Sequence, residues 1–182
     1  DYVNSMVLPI EPTSIFPIGK TRFAHNETLN QYYIAGEKEI AFDLIYNGDA
    51  IVNRSFILAF NGTNGNEIWR REVYADPTGG LADNRFNSLI IDDNSDVYFG
   101  GRVYQSANAQ NPIKIYDPTN NNILDYSFTP IVYTDLPMVV KFDADDGTVQ
   151  WVKTPTAFAP NFSTNTLIVP KGLALNGSEV AL

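Results

Sequence analysis

Ser55–Trp69 reads SFILAFNGTNGNEIW and Pro137–Trp151 reads PMVVKFDADDGTVQW. Phe60 falls on Phe142, Gly65 on Gly147 and Trp69 on Trp151, each pair 82 residues apart, and these are the only two tryptophans of the chain. A second landmark repeats at almost the same period: Asn94-Ser-Asp-Val97 and Gly177-Ser-Glu-Val180 lie 83 residues apart. Two landmarks sharing one period argue for stacked copies of a supersecondary unit rather than for a single-site enzyme.

The residues of the repeat are those of strands and turns. Phe56–Phe60 and Met138–Phe142 are continuous apolar runs of buried-strand length. Glu67–Val73 and Thr148–Lys153 alternate and read as half-exposed strands. Asn64-Gly65 and Asp146-Gly147 are two-residue hairpin signals. The second copy is expected to hold strands near 87–92, 96–104, 138–143 and 148–153. The first is expected to hold strands near 31–45, 54–60 and 66–74, with a less distinct one near 21–25. A third copy keeps only its first strand and the start of its second. No segment carries an amphipathic helical period. Eleven Phe, ten Tyr, 12 Gly and 11 Pro suit a turn-rich β-protein.

The copies differ in one insertion. Tyr33 and Tyr98 are only 65 residues apart, so Gln105–Leu136 lengthens the second copy. Ile113-Lys-Ile-Tyr and Asn122-Ile-Leu-Asp-Tyr flank the turn Asp117–Asn122 and predict an extra hairpin. The domain reading is therefore a Pro-rich extended lead-in over 1–20, a first unit over 21–74, a second over 75–153 with its insertion at 105–136, and a connection plus the start of a third over 154–182.

Charge narrows the partners. A net charge of −9 disfavours nucleic acid and anionic lipid, both of which select clustered Lys and Arg. The absence of cysteine excludes disulfides and thiolate-bound metals. No apolar run approaches the roughly 20 residues of a membrane span, so no membrane insertion is expected. An acidic, Asn- and Thr-rich chain without Cys fits an extracellular or cell-surface setting.

Phe60–Trp69 and Phe142–Trp151 resemble the A-x-D-x-x-T-G-x-x-x-W turn of quinoprotein-like (PQQ-like) β-propellers. Leu89–Gly101, LIIDDNSDVYFGG, and Val139–Gly147 are similar to the two halves of the SBBP repeat. The resemblance covers about 31–104, 138–153 and 172–182. It implies an all-β fold of antiparallel four-stranded blades, about two and a third of them in this chain. Each Trp would then be buried against the neighbouring blade, and each turn Gly would take a positive φ. It further implies a non-catalytic scaffold or binding segment of a larger secreted or cell-surface bacterial protein. Its partners would be protein (remaining blades or another subunit) or glycan. The alternative is the propeller part of a quinone-dependent dehydrogenase or a polysaccharide-active enzyme. Propellers close with about 4–8 blades, so the segment is expected to belong to a longer polypeptide or to be completed by another chain.

No catalytic, cofactor or metal residue is expected. Asp143, Asp145, Asp146 and Gly147 have the hard oxygens of a calcium loop, but the first copy builds the same turn from Asn61, Thr63, Asn64 and Gly65 without an acid. Asp92, Asp93 and Asp96 read as a solvated turn. His25, the only histidine, has no nucleophile setting beside it. Glu37, Glu39 and Asp43 could pair as glycosidase carboxylates and read instead as a solvated strand face. Asn-x-Ser/Thr sequons occur at Asn26, Asn53, Asn61, Asn161 and Asn176 and bear on modification only in a eukaryotic secretory pathway.

Overall fold

The structure, a computed structural model, describes residues 8, 10, 20–39, 43–77, 82–105, 109–120, 123–128, 136–154, 172–176 and 179–181. The lead-in and the connection at 155–171 lie almost entirely outside them. The described residues are all-β. In chain order the strands are β1 (Thr21–Asn26), β2 (Gln31–Glu37), β3 (Ile45–Tyr46), β4 (Asp49–Ala50), β5 (Ser55–Asn61), β6 (Glu67–Tyr74) and β7 (Ala82–Ile91). They continue as β8 (Val97–Gln105), β9 (Ile113–Asp117), β10 (Ile123–Phe128), β11 (Leu136–Phe142), β12 (Val149–Lys153), β13 (Ala174–Asn176) and β14 (Glu179–Ala181).

Each copy of the repeat is an antiparallel meander. The first sheet runs β1-β2-β5-β6 and is extended by β9-β10; the second runs β12-β11-β8-β7; both are open. The tryptophan hairpins share one irregularity. Ala59 faces Trp69 and Phe60 faces Glu67 in the first, while Lys141 faces Trp151 and Phe142 faces Val149 in the second. Each bulge adds one residue on the Trp strand, which strengthens the local twist.

Alternation sorts the side chains. Tyr33, Ala35, Ile57, Ala59, Trp69 and Val73 turn to one face of the first sheet and share a buried cluster with Phe86, Phe99, Met138, Val140 and Phe142 of the second. Ile34, Phe56, Leu58 and Phe60 turn to the other face, where Leu44, Tyr46 and Ile51 cover them. Phe56–Phe60 reads as an unbroken apolar run because both faces of β5 are buried. The first sheet is thus the middle layer of a stack.

Two expectations need correction. The stretch 31–45 is not one strand: β2 stops at Glu37, and β3 belongs to a separate hairpin with β4. The first strand of the second copy is longer than its apolar residues suggested, starting at Ala82, because Asn84 and Arg85 continue the pairing with β8. The insertion does form a hairpin, yet it does not stand free. Tyr116, Ile115 and Lys114 pair with Glu72, Val73 and Tyr74, so β9 joins the edge of the first sheet while lying in sequence inside the second copy. An unpaired edge on β6 would be a template for aggregation, and the insertion covers it.

Candidate functional site

Four turns lie at the end of the sheets where β1 leads into β2: Glu27–Asn30, Asn61–Asn66, Asp92–Asp96 and Asp143–Thr148. Two of them are repeat counterparts with one wiring. Gly65 N donates to Asn61 O at 2.9 Å, and Gly147 N donates to Asp143 O at 3.0 Å. Thr63 N donates to Asn61 Oδ1 at 2.8 Å, as Asp145 N does to Asp143 Oδ1 at 2.9 Å. Asn66 N donates to Asn64 Oδ1 at 2.9 Å, as Thr148 N does to Asp146 Oδ1 at 2.8 Å. Gly65 and Gly147 have φ of 73° and 72°, a region that L side chains rarely adopt. Carboxylate and amide oxygens are interchangeable here because each serves as an acceptor for turn amides. Asp146 is held below the usual carboxylate range by the bonds from Thr148.

The second turn grips the first sheet. Trp69 Nε1 donates to Ala144 O at 2.8 Å, and its ring lies 5.7 Å from Phe142 and 5.9 Å from Tyr33. Arg71 Nη2 donates to Asp146 O at 3.1 Å. Trp69 is 4% exposed. Trp151 is placed on the equivalent strand but is not buried as expected. It is half-buried, edge-on to Tyr98 at 5.8 Å, with Lys153 Nζ 6.0 Å from its ring centroid. Trp69 faces the second sheet, whereas Trp151 faces away from the first, so equal sequence positions meet unequal surroundings.

The Asp92–Asp96 turn is closed by Asp92, whose Oδ1 accepts from Asn94 N and Asp96 N, each at 2.9 Å, and whose Oδ2 accepts from Tyr98 Oη at 2.8 Å. Asp96 pairs with Lys141 at 2.5 Å. Gln150 Nε2 bridges Asp96 Oδ1 and Asp143 Oδ2, at 3.1 and 3.4 Å. Asp93 and Asp145 remain exposed. The rim is therefore a set of hydrogen-bonded turns carrying exposed carboxylates. Among the described residues no group of three or more His, Cys, Asp or Glu is arranged to hold a metal ion, and no helix is long and apolar enough to cross a membrane.

The other candidates are dispersed. His25 is exposed and stacked on Tyr32 at 4.1 Å. Glu37, Glu39 and Asp43 do not form a solvated strand face. Glu37 is 3% exposed and paired with Arg54 at 3.3 Å; Glu39 pairs with Lys20 at 2.9 Å; Asp43 is exposed beyond the strand. Glu37 faces Arg54, which it shares with Asp83, and Glu39 faces Lys20, so these acids are paired with cations rather than with one another. Of the sequon asparagines, Asn26 is buried, Asn53 binds Glu72, Asn61 closes its turn, Asn176 is exposed on β13 and Asn161 lies outside the described residues.

Sequence patterns did not reveal the buried charges. Arg70 is fully buried and paired with Glu67 at 2.6 Å. Arg71 pairs with Asp125 of β10 and lies 3.9 Å from Asp117. The only visible signal was Arg70-Arg71-Glu72 inside a strand that also carries the Trp. Burial pushes the carboxyls of Glu37, Glu72 and Asp125 up, against the pull of neighbouring arginines and amides. Their folded pKa values lie above the unfolded ones, so the native state holds protons more tightly. That contribution is fully present below the unfolded values, 4.5 for the glutamates and 3.8 for the aspartate, and is lost as pH rises through the folded values. Asp146 and Glu39, held low, contribute with the opposite sign. The test is therefore the difference between wild type and Glu72→Gln. Thermal melts over a pH series should show the variant's melting temperature falling less, or rising more, than the wild type's above about pH 4.5, and parallel curves would contradict the assignment.

No family model, no curated protein and no solved structure matches the chain.

Proposed function

We propose that the chain is a non-catalytic scaffold of β-propeller type. In this reading it is a segment of a larger secreted or cell-surface protein, its two meanders being blades and its rim of turns the surface offered to a protein or glycan. The observation that carries this reading is the grip of the Asp143–Thr148 turn on Trp69. A repeated turn that locks one sheet to the next leaves the neighbouring exposed positions free to vary without loss of the frame. The fully hydrogen-bonded turns are pre-organised, which lowers the ordering cost of binding.

The sequence makes Gln105–Leu136, the loop that varies between copies, the first surface to suspect. Because β9 and β10 are committed to the sheet edge, the rim is the surface to test. Asp93→Lys and Asp145→Lys reverse exposed charges outside the sheet interface. In a screen of immobilised glycans and cell-surface protein fractions, each is expected to weaken wild-type binding about tenfold, equivalent to about 1.4 kcal/mol, with the melting temperature unchanged. Binding indifferent to both substitutions would move the surface elsewhere. Turnover of a quinone acceptor or a polysaccharide by the chain would replace the scaffold reading with the enzymatic one.

A further inference from the structure

Asn-Gly occurs at Asn47, Asn61, Asn64 and Asn176. The dipeptide carries a reaction of its own. Glycine has no side chain to shield its backbone nitrogen, so that nitrogen can reach Cγ of the asparagine before it. The four pairs are equal as letters, but their surroundings differ. Gly177 lies outside the described residues, and the other three pairs can be compared.

Two pairs lie in the rim turn Asn61–Asn66 and are tied at both reacting ends. Asn61 Oδ1 accepts from Thr63 N at 2.8 Å and from Asn64 N at 3.3 Å, and Gly62 N donates to Asn30 O at 2.8 Å. Asn64 Oδ1 accepts from Asn66 N at 2.9 Å, and Gly65 N donates to Asn61 O at 2.9 Å. In each pair the side chain is held by turn amides and the glycine N–H is engaged elsewhere. Attack by the glycine nitrogen has to break both kinds of bond, each with a net worth of about 1 kcal/mol.

The third pair forms the turn between β3 and β4. Asn47 and Gly48 are both exposed, and no hydrogen bond holds the Asn47 side chain or Gly48 N. A Cβ added at Gly48 would meet nothing within 4 Å. Both residues have a positive φ, 53° and 85°, so the turn has to open before attack. The tip of a hairpin with two-residue strands opens locally with ease.

We propose that Asn47 is a site of spontaneous deamidation built into the β3–β4 hairpin. Gly48 N gives its proton to hydroxide and attacks Asn47 Cγ. The new C–N bond closes a succinimide, and the side-chain nitrogen leaves as ammonia with a proton from water. A second water opens the ring. Opening at Cγ leaves aspartate, and opening at the backbone carbonyl leaves isoaspartate, whose main chain is longer by one carbon. A two-residue turn cannot absorb that carbon without shifting the Tyr46–Asp49 pair. Tyr46 is what the turn positions: its hydroxyl donates to Gly65 O at 2.6 Å, its ring lies 6.0 Å from Phe60, and Arg70 donates to its carbonyl at 3.4 Å. Isoaspartate at 47 therefore loosens the cover over Ile34, Leu58 and Phe60. This chemistry is independent of what the rim binds.

The full chain is aged in mildly alkaline buffer, once folded and once in urea, then digested and mapped by mass spectrometry. In the folded chain Asn47 should deamidate at least about tenfold faster than Asn61 and Asn64, the ratio that two turn bonds impose. In urea the three should react at similar rates, because the protecting bonds are gone. Asn61 or Asn64 keeping pace with Asn47 in the folded chain overturns the proposal. So does an Asn47 that stays intact in the folded chain while it reacts in urea. The isoaspartyl fraction, separated by its added charge, should melt below fresh protein. Asn47→Asp has the charge without the longer backbone and should melt with fresh protein. An isoaspartyl fraction that also melts with fresh protein overturns the effect assigned to the hairpin.

Discussion

Trp69→Ala is expected to destabilise the chain by about 3–5 kcal/mol, the range for truncating a buried aromatic side chain to alanine. The indole is 4% exposed and lies between Tyr33 of its own sheet and Phe142 of the other, so no solvent stands ready to fill the space. Its Nε1 also provides the hydrogen bond to Ala144 O, and losing that partner adds to the cavity term. At about 2–4 °C per kcal/mol for a chain of this size, the melting temperature should fall by roughly 6–20 °C. Trp151→Ala should cost distinctly less, about 1–2 kcal/mol, because the ring is half-buried against Tyr98 and the Lys153 stem. Urea unfolding of the two variants side by side decides the matter. Equal losses would mean that the grip of the second turn on Trp69 is not what joins the sheets.

Gly147→Ala is the second large effect. A Cβ at this position would sit 2.5 Å from Trp69 Cδ2 and 2.6 Å from Cε3, and the backbone is at φ 72°. The left-handed backbone costs about 1–2 kcal/mol for a residue with a Cβ. The clash adds about 1–3 kcal/mol because the indole is packed on its other side and cannot retreat. The expected total is about 2–5 kcal/mol, again read by urea unfolding. Gly48→Ala is the control: its φ is 85°, and nothing lies within 4 Å of the added atom, so only the backbone contribution remains. If Gly147→Ala costs no more than Gly48→Ala, the close approach of Trp69 to the turn is wrong. Combined with Trp69→Ala, the Gly147→Ala loss should shrink toward the control value, since the clash partner is gone.

Much of the architecture was legible because it follows from local chemistry. The meander order came from short apolar runs punctuated by Asn-Gly and Asp-Gly, and the positive φ of Gly65 and Gly147 follows from the same turns. The neutral Asn61 turn beside the acidic Asp143 turn identified the carboxylates as turn acceptors before any geometry was known. Less legible were the residues whose role depends on a distant partner. Glu37 alternates like a surface acid, yet it is buried because Arg54, 17 positions on, returns to it at 3.3 Å. The insertion was visible as a hairpin, but its destination on the edge of β6 is a matter of long-range pairing that no periodicity records.

The repeat itself was determined by the sequence alone: its 82-residue period, its tryptophan hairpins with their turns, and the Phe, Gly and Trp that mark it. Only the tertiary structure decided what each copy meets. Trp69 and Trp151 are interchangeable as letters, but one faces a packed sheet and the other faces away from it. Phe60 and Phe142 are interchangeable too, but a hairpin covers the first and a sheet the second. The physical reason is that turn type and strand pattern are set by neighbours along the chain. Burial is set by the layer stacked above, and that layer differs at each end of a stack even when the units are alike.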